Sequence, residues 1–188
     1  MPLFQSNTTK TFQAQVRQLF TPADLYFIYC ANLSALETCY RQYIQAFMAN
    51  GARKSLGLIT PTDTGVVPYL SVRNNLLING RTKDLALIPD AFRRDLLQAD
   101  VPATALTVTQ TLYLQLFRGV VAGREFLLMH DFPARMTLQE RRDFLNVAAT
   151  SVRARGTSLI LLTQDENLIT AHPATSWTTA PQLSDATA

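Results

Sequence analysis

The chain alternates short, continuous apolar runs with longer stretches in which apolar residues recur every three or four positions. The runs are DLYFIYC (Asp24–Cys30), SLGLIT (Ser55–Thr60), EFLLMHDF (Glu125–Phe132) and TSLILLT (Thr157–Thr163). Aromatic, β-branched and leucine residues dominate them, and polar or breaker residues bound them, which predicts buried strands. Predicted helices lie between. From Ser34 to Met48, the residues Leu36, Cys39, Tyr40, Tyr43, Ile44 and Phe47 form one stripe, and Asn50-Gly51 ends it. A second helix starts after Ser71 as N-cap, and PDAFRRDLLQAD (Pro89–Asp100) reads as a short amphipathic one. LTVTQTLYLQLFRGVVAG is a longer helix that stops at Gly123. Thr137, with Glu140 three residues on, predicts a capping box for a helix ending at Gly156. QDENLITAH begins another short helix.

Strands that are apolar throughout and alternate with helices imply an α/β fold, a mostly parallel sheet covered on both faces. Residues 1–24 are polar and weakly patterned, and predict at most one or two short strands. The end of the chain, PATSWTTAPQLSDATA, has the low complexity of a disordered tail, so residues 171–188 are expected to be unstructured. Neither an internal repeat nor an interdomain linker interrupts residues 1–170, which read as one domain.

Composition narrows the classes. The apolar runs are far shorter than the roughly 20 residues a membrane span requires. The N-terminus, MPLFQSNTTKTF, lacks an apolar signal core, so a cytoplasmic protein is expected. The net charge of +3 is mild and its cations are dispersed. The pairs Arg93–Arg94 and Arg141–Arg142 fall on helices and do not interleave with aromatics, which gives no support for a nucleic-acid partner. Cys30 and Cys39 form no CxxC and read as free thiols of a reducing compartment.

The order of motifs in the second half resembles the nucleotide-binding domain of ATP-binding cassette (ABC) transporters. LTVTQTLYLQLFRGVVAGREFLLMHDFPARMTLQERRDFL runs without a gap against that family's signature, its helix, the Walker B strand and the D-loop. RGTSLILLTQDENLI resembles the following strand and H-loop, and VVPYLSVRNNLLING the segment after the Q-loop. The resemblance spans residues 24–170 and rests on spacing and order. It implies a P-loop-type sheet, a small helical insertion at about 74–105 and a trimmed N-terminal antiparallel part.

Each site of chemistry departs from the family pattern. A phosphate-binding loop uses glycines to bring backbone N–H groups close, a lysine to neutralise charge and a hydroxyl to hold magnesium. The matching nonet here is CANLSALET, Cys30 to Thr38. Cys30, Leu33 and Ala35 stand for glycines, Leu36 for the lysine and Glu37 for the hydroxyl, while Thr38 matches. A carboxylate ~4 Å from a phosphate charge costs on the order of 4 kcal/mol at an effective dielectric near 20. At the Walker B end His130 takes the magnesium-linked position and Asp131 that of the catalytic glutamate. A slip of one residue would instead make Asp131 the metal ligand and leave Phe132 as the base position. The signature is LTVTQ, retaining Thr107 and Gln110 around Val108 and Thr109. Gln164 replaces the H-loop histidine, Thr62 or Thr60 the Q-loop glutamine, and Thr137 the D-loop aspartate.

The resemblance therefore implies a degenerate, catalytically inactive ABC subunit that acts as a structural or regulatory partner of an ABC permease or an active ABC ATPase subunit, or as a homodimer. It would be cytoplasmic or peripheral at the inner membrane face through that partner. No cofactor or metal is expected. The alternatives are a residual ATP binder or weak ATPase using MgATP, Thr38 and Asp131, and a stand-alone module with a new ligand in the vacated pocket. Simpler structural readings stand beside these. Cys30 and Met129 can fill a core, Glu37 can sit in a helix first turn or pair with Arg41 four residues on, and Thr107 and Gln164 can be ordinary polar surface. The resemblance implies that the Walker A and Walker B strands are neighbours, so Cys30, His130, Asp131 and Thr38 should lie close together, and the Cys, His and Asp among them could hold zinc.

Overall fold

The structure, a computed structural model, describes residues 7–62, 65–97 and 101–183. Five strands form one sheet: β1 (Leu25–Tyr29), β2 (Leu56–Ile59), β3 (Phe126–Met129), β4 (Ser158–Thr163) and β5 (Ser176–Trp177). Their order is β2-β3-β4-β1-β5, and every neighbouring pair is parallel. The helices are α1 (Asn7–Leu19), α2 (Leu33–Ala49), α3 (Val72–Leu77), α4 (Asp90–Leu97), α5 (Val108–Val121), α6 (Leu138–Arg155) and α7 (Glu166–Ala171).

The strands are apolar on both sides because both faces of the sheet are covered. Successive side chains point to opposite faces, so one strand feeds two cores. Phe27, Leu127, Met129, Leu159 and Leu161 face α3, α5 and α6, with Leu76, Phe117 and Phe144 in the same cluster. Tyr26, Ile28, Leu128, Ile160 and Leu162 face α1 and α2, where Phe12, Leu36 and Phe47 complete the cluster. Gly57 makes room for Leu127: a Cβ there would lie 2.6 Å from Leu127 Cδ2, which would have to shift.

The helix boundaries follow local chemistry. Ser71 caps α3 by accepting from the Asn74 N–H, and Thr137 and Glu140 form the reciprocal capping box of α6. Gly156 closes α6 in the left-handed region at φ 75°, a conformation that costs glycine nothing. Three expectations are corrected. The N-terminal segment is a helix, not short strands: Phe12, Val16 and Phe20 recur every fourth residue and are buried against the sheet. The only antiparallel pairing among the described residues is the isolated Ser71–Pro102 bridge, so the sheet carries no antiparallel part. The segment expected as a disordered tail is ordered through Leu183, because β5 pairs with β1 and Trp177 packs edge-on to Phe20 at 5.2 Å. Residues 184–188 lie outside the described residues.

Candidate functional site

β1, β3 and β4 end together, and their C-terminal ends face the first turn of α2. β1 runs directly into α2 through Cys30, Ala31 and Asn32. The Cys30 N–H donates to the Thr163 carbonyl, which extends the β1–β4 ladder by one bond. Asn32 is the N-cap, and its side chain accepts from the Ala35 N–H at 2.9 Å. The Leu36 N–H donates to the Asn32 carbonyl at 3.0 Å.

These bonds decide what the segment can bind. Six residues of the CANLSALET nonet, Leu33 to Thr38, are already helical. The N–H groups of Ala35 and Leu36, at the positions matching the glycine and lysine of a phosphate-binding loop, are engaged by the cap and by the helix ladder. The position matching the lysine is worse placed still: Leu36 is fully buried among Phe47, Leu128 and Leu162 in the core beneath α2. Ala35 and Thr38 are exposed on the helix surface.

Glu37 lies just beyond the first turn of α2, not within it as one reading expected, and meets His130 at the end of β3. Its Oε1 lies 3.1 Å from His130 Nε2. The side chain of Glu37 is 52% exposed and that of His130 15%. Tyr40, one turn further along α2, presses edge-on to the His130 ring with centroids 5.6 Å apart. Against a carboxylate, Nε2 is the donor of this contact, and the buried Nδ1 has no hydrogen-bond partner. Of the readings open for Glu37, pairing with Arg41 gives way to this longer-range contact.

Asp131 is fixed by its neighbours. Its Oδ1 accepts from the Phe132 N–H at 2.8 Å and from the Thr163 hydroxyl at 3.1 Å, and its Oδ2 from the Gln164 N–H at 2.9 Å. The carboxylate thus ties the end of β3 to the end of β4. Thr163 Oγ1 in turn accepts from the Asp165 N–H, at the start of α7. Tyr29 donates to Glu166 at 2.9 Å, and this bond raises the phenol above its ordinary value.

The strand order corrects one premise. β4 separates β1 from β3, so the strands carrying Cys30 and His130 are not neighbours. The described residues contain no group of three or more His, Cys, Asp or Glu placed to hold a metal ion. Cys30 and Cys39 are buried and pair with each other: the hydrogen bond from the Cys39 thiol lowers Cys30 and raises Cys39, and burial adds to the rise at Cys39.

The remaining motif positions have structural partners. Thr107 caps α5 and makes a capping box with Gln110, at 3.2 Å and 2.9 Å for the two bonds. Thr109 donates to Glu140 at 3.0 Å, joining the starts of α5 and α6. Thr60 has its backbone N–H and carbonyl both met by the buried Gln115 side chain at 3.0 Å, and its hydroxyl lies 3.2 Å from that of Thr62. Gln115 and Tyr40 were missed in the sequence. Each lies within a predicted helix, and only the spatial proximity of the strand ends gives it a role.

No family model and no curated protein matches the sequence. The fold, however, matches solved ABC transporter subunits. The chain superposes on CbiO1 of Clostridium perfringens, part of the ABC transporter complex CbiONQ, with a TM-score of 0.63 and 12% identity, covering 81% of this chain and 72% of that one. It is similar to an ATP-binding subunit of an ABC transporter (TM-score 0.60, 8% identity, 82% of this chain and 72% of that one). It is also similar to a Pyrococcus furiosus protein described as an ABC transporter ATP-binding protein (TM-score 0.59, 11% identity, 78% and 80%). The domain is therefore ABC ATPase-like in fold. Among the described residues, no helix is long and apolar enough to cross a membrane.

Proposed function

We propose that this ABC ATPase-like domain does not hydrolyse ATP and serves as a structural or regulatory partner of an ABC transporter or of another ABC subunit. The observation that carries the reading is the state of the α2 start: it is wound into helix, its lysine position faces the core, and Glu37 is bonded to His130. Half exposure of Glu37 lets water screen its repulsion of a phosphate. The larger losses are the missing lysine and the engagement of the Ala35 and Leu36 N–H groups in the cap and helix ladder, neither of which a rotamer change reverses. Asp131 is engaged as a structural tie, which removes the carboxylate that a residual ATPase would use. The partner would be an ABC permease, an active ABC ATPase subunit or a second copy, and the domain would act in the cytoplasm or at the inner membrane face through it.

A phosphate-release assay on the purified chain with MgATP tests this. The reading expects no turnover above that of buffer. Turnover that Asp131→Ala abolishes would overturn it in favour of a weak ATPase.

A further inference from the structure

β2 is an edge strand, paired with β3 on one side only. Ile59 points its carbonyl at β3, where it accepts from the His130 N–H. Backbone direction alternates along a parallel strand, so the N–H and carbonyl of Leu58 and of Thr60 face away from the sheet. At Thr60 the chain closes this edge itself, with both groups met by Gln115. The Leu56 N–H is likewise used, donating to the Arg53 carbonyl. Among the described residues nothing similar covers Leu58.

The same place exposes apolar side chains. Leu58 is 38% and Met48 51% exposed, and with Ile44 and Leu56 they line a groove of about 370 Å³ between the second half of α2 and the sheet edge. Its remaining lining is Arg53, Lys54, Arg124 and Asn79. Among the described residues three cations and no carboxylate line it. Burial, together with the nearby Arg53, holds the Arg124 guanidinium below its ordinary value, as expected where like charges crowd.

We infer that this groove takes an extended segment of a protein partner, one that alternates apolar residues with carboxylates and adds to the edge of β2 at Leu58. Strand addition supplies main-chain bonds, and the side-chain pockets select the sequence. Here the apolar residues would cover Leu58 and Met48, and the acids would meet Arg53, Lys54 and Arg124. A second copy of this chain is excluded as the occupant, because an edge-to-edge pair would bring both sets of cations together. The inference rests on the partner role proposed above and specifies its surface.

The test uses a fluorescein-labelled octapeptide of alternating Glu and Val, with a Lys/Val octapeptide as control. Anisotropy should show saturable binding of the acidic peptide alone, and amide exchange at Leu58 should slow at least tenfold when the peptide is saturating. Arg53→Glu/Lys54→Glu, both exposed sites, should weaken binding at least tenfold, and so should Leu58→Lys. Binding without protection of the Leu58 amide, absence of binding, or tighter binding to phosphatidylglycerol vesicles or single-stranded DNA would each overturn the inference. None of these measurements involves nucleotide, so their failure is separable from turnover of MgATP.

Discussion

Glu37 Oε1 lies 3.1 Å from His130 Nε2, and this one contact ties the second turn of α2 to the end of β3 across the tip of β4. It occupies the crevice at the carboxyl ends of the strands, where open α/β sheets bind their ligands. The contact is polar and half exposed, so its role is to fill that crevice more than to stabilise the fold. Glu37→Gln is expected to change unfolding free energy by less than about 1 kcal/mol. Urea denaturation of the pair of proteins checks this.

Restoring a lysine should not restore a phosphate site. Leu36 is fully buried, and Leu36→Lys would place an unpaired ammonium in the core beneath α2. A loss of about 3–5 kcal/mol is expected, as when a buried charge loses its partner. The same denaturation measurement reads it, and gain of MgATP affinity with unchanged stability would show that the helix start can be rearranged.

Asp131 should behave as a structural residue. Asp131→Ala leaves the Phe132 and Gln164 N–H groups and the Thr163 hydroxyl without their acceptor. Each such donor left unpaired where water cannot reach it costs about 1–3 kcal/mol. Calorimetric melting should show a clear fall in Tm, with faster amide exchange at Gln164.

The capping residues were legible in the sequence because their chemistry is local. Thr137 with Glu140, Ser71 and Gly156 each act within one helix turn, and the structure places them as expected. Thr107→Ala and Thr137→Ala should each cost about 1 kcal/mol, the usual value of an N-cap, in a urea titration. The apolar strands were legible for the same reason: each run states its own burial.

What was not legible depends on residues far apart in the chain. The insertion of β4 between β1 and β3 is a matter of pairing, which no single run encodes. Arg41 is the sequence-near partner of Glu37, and His130, 93 residues away, is the spatial one. β5 is only two residues long, and its order comes from Trp177 against Phe20 and Tyr26. The helical period of Phe12, Val16 and Phe20 was present but diluted by the buried polar residues Thr9 and Gln13.

Tyr113 gives a pH signature. Burial, with Asp143 and Glu140 nearby, pushes its phenol up to about 12. The unfolded chain ionises near the ordinary value of about 10 and the folded one later, so the folded state binds more protons in between. Stability from this group is complete below the unfolded value and is lost as pH rises toward the folded one. Tyr26, Tyr29 and Tyr43 are raised as well, so absorbance titration at the phenolate band should find several tyrosines that ionise late, and Tyr113→Phe should remove one of them and lessen the alkaline fall in stability.

The most direct test of the central claim is a calorimetric titration of MgATP into the wild-type chain. No saturable heat up to about 1 mM nucleotide is the expected result, since a weaker site would hold less than ~4 kcal/mol of binding free energy. A saturable isotherm in the micromolar range, weakened by Asp131→Ala, would contradict it and mean that the start of α2 unwinds to receive a phosphate.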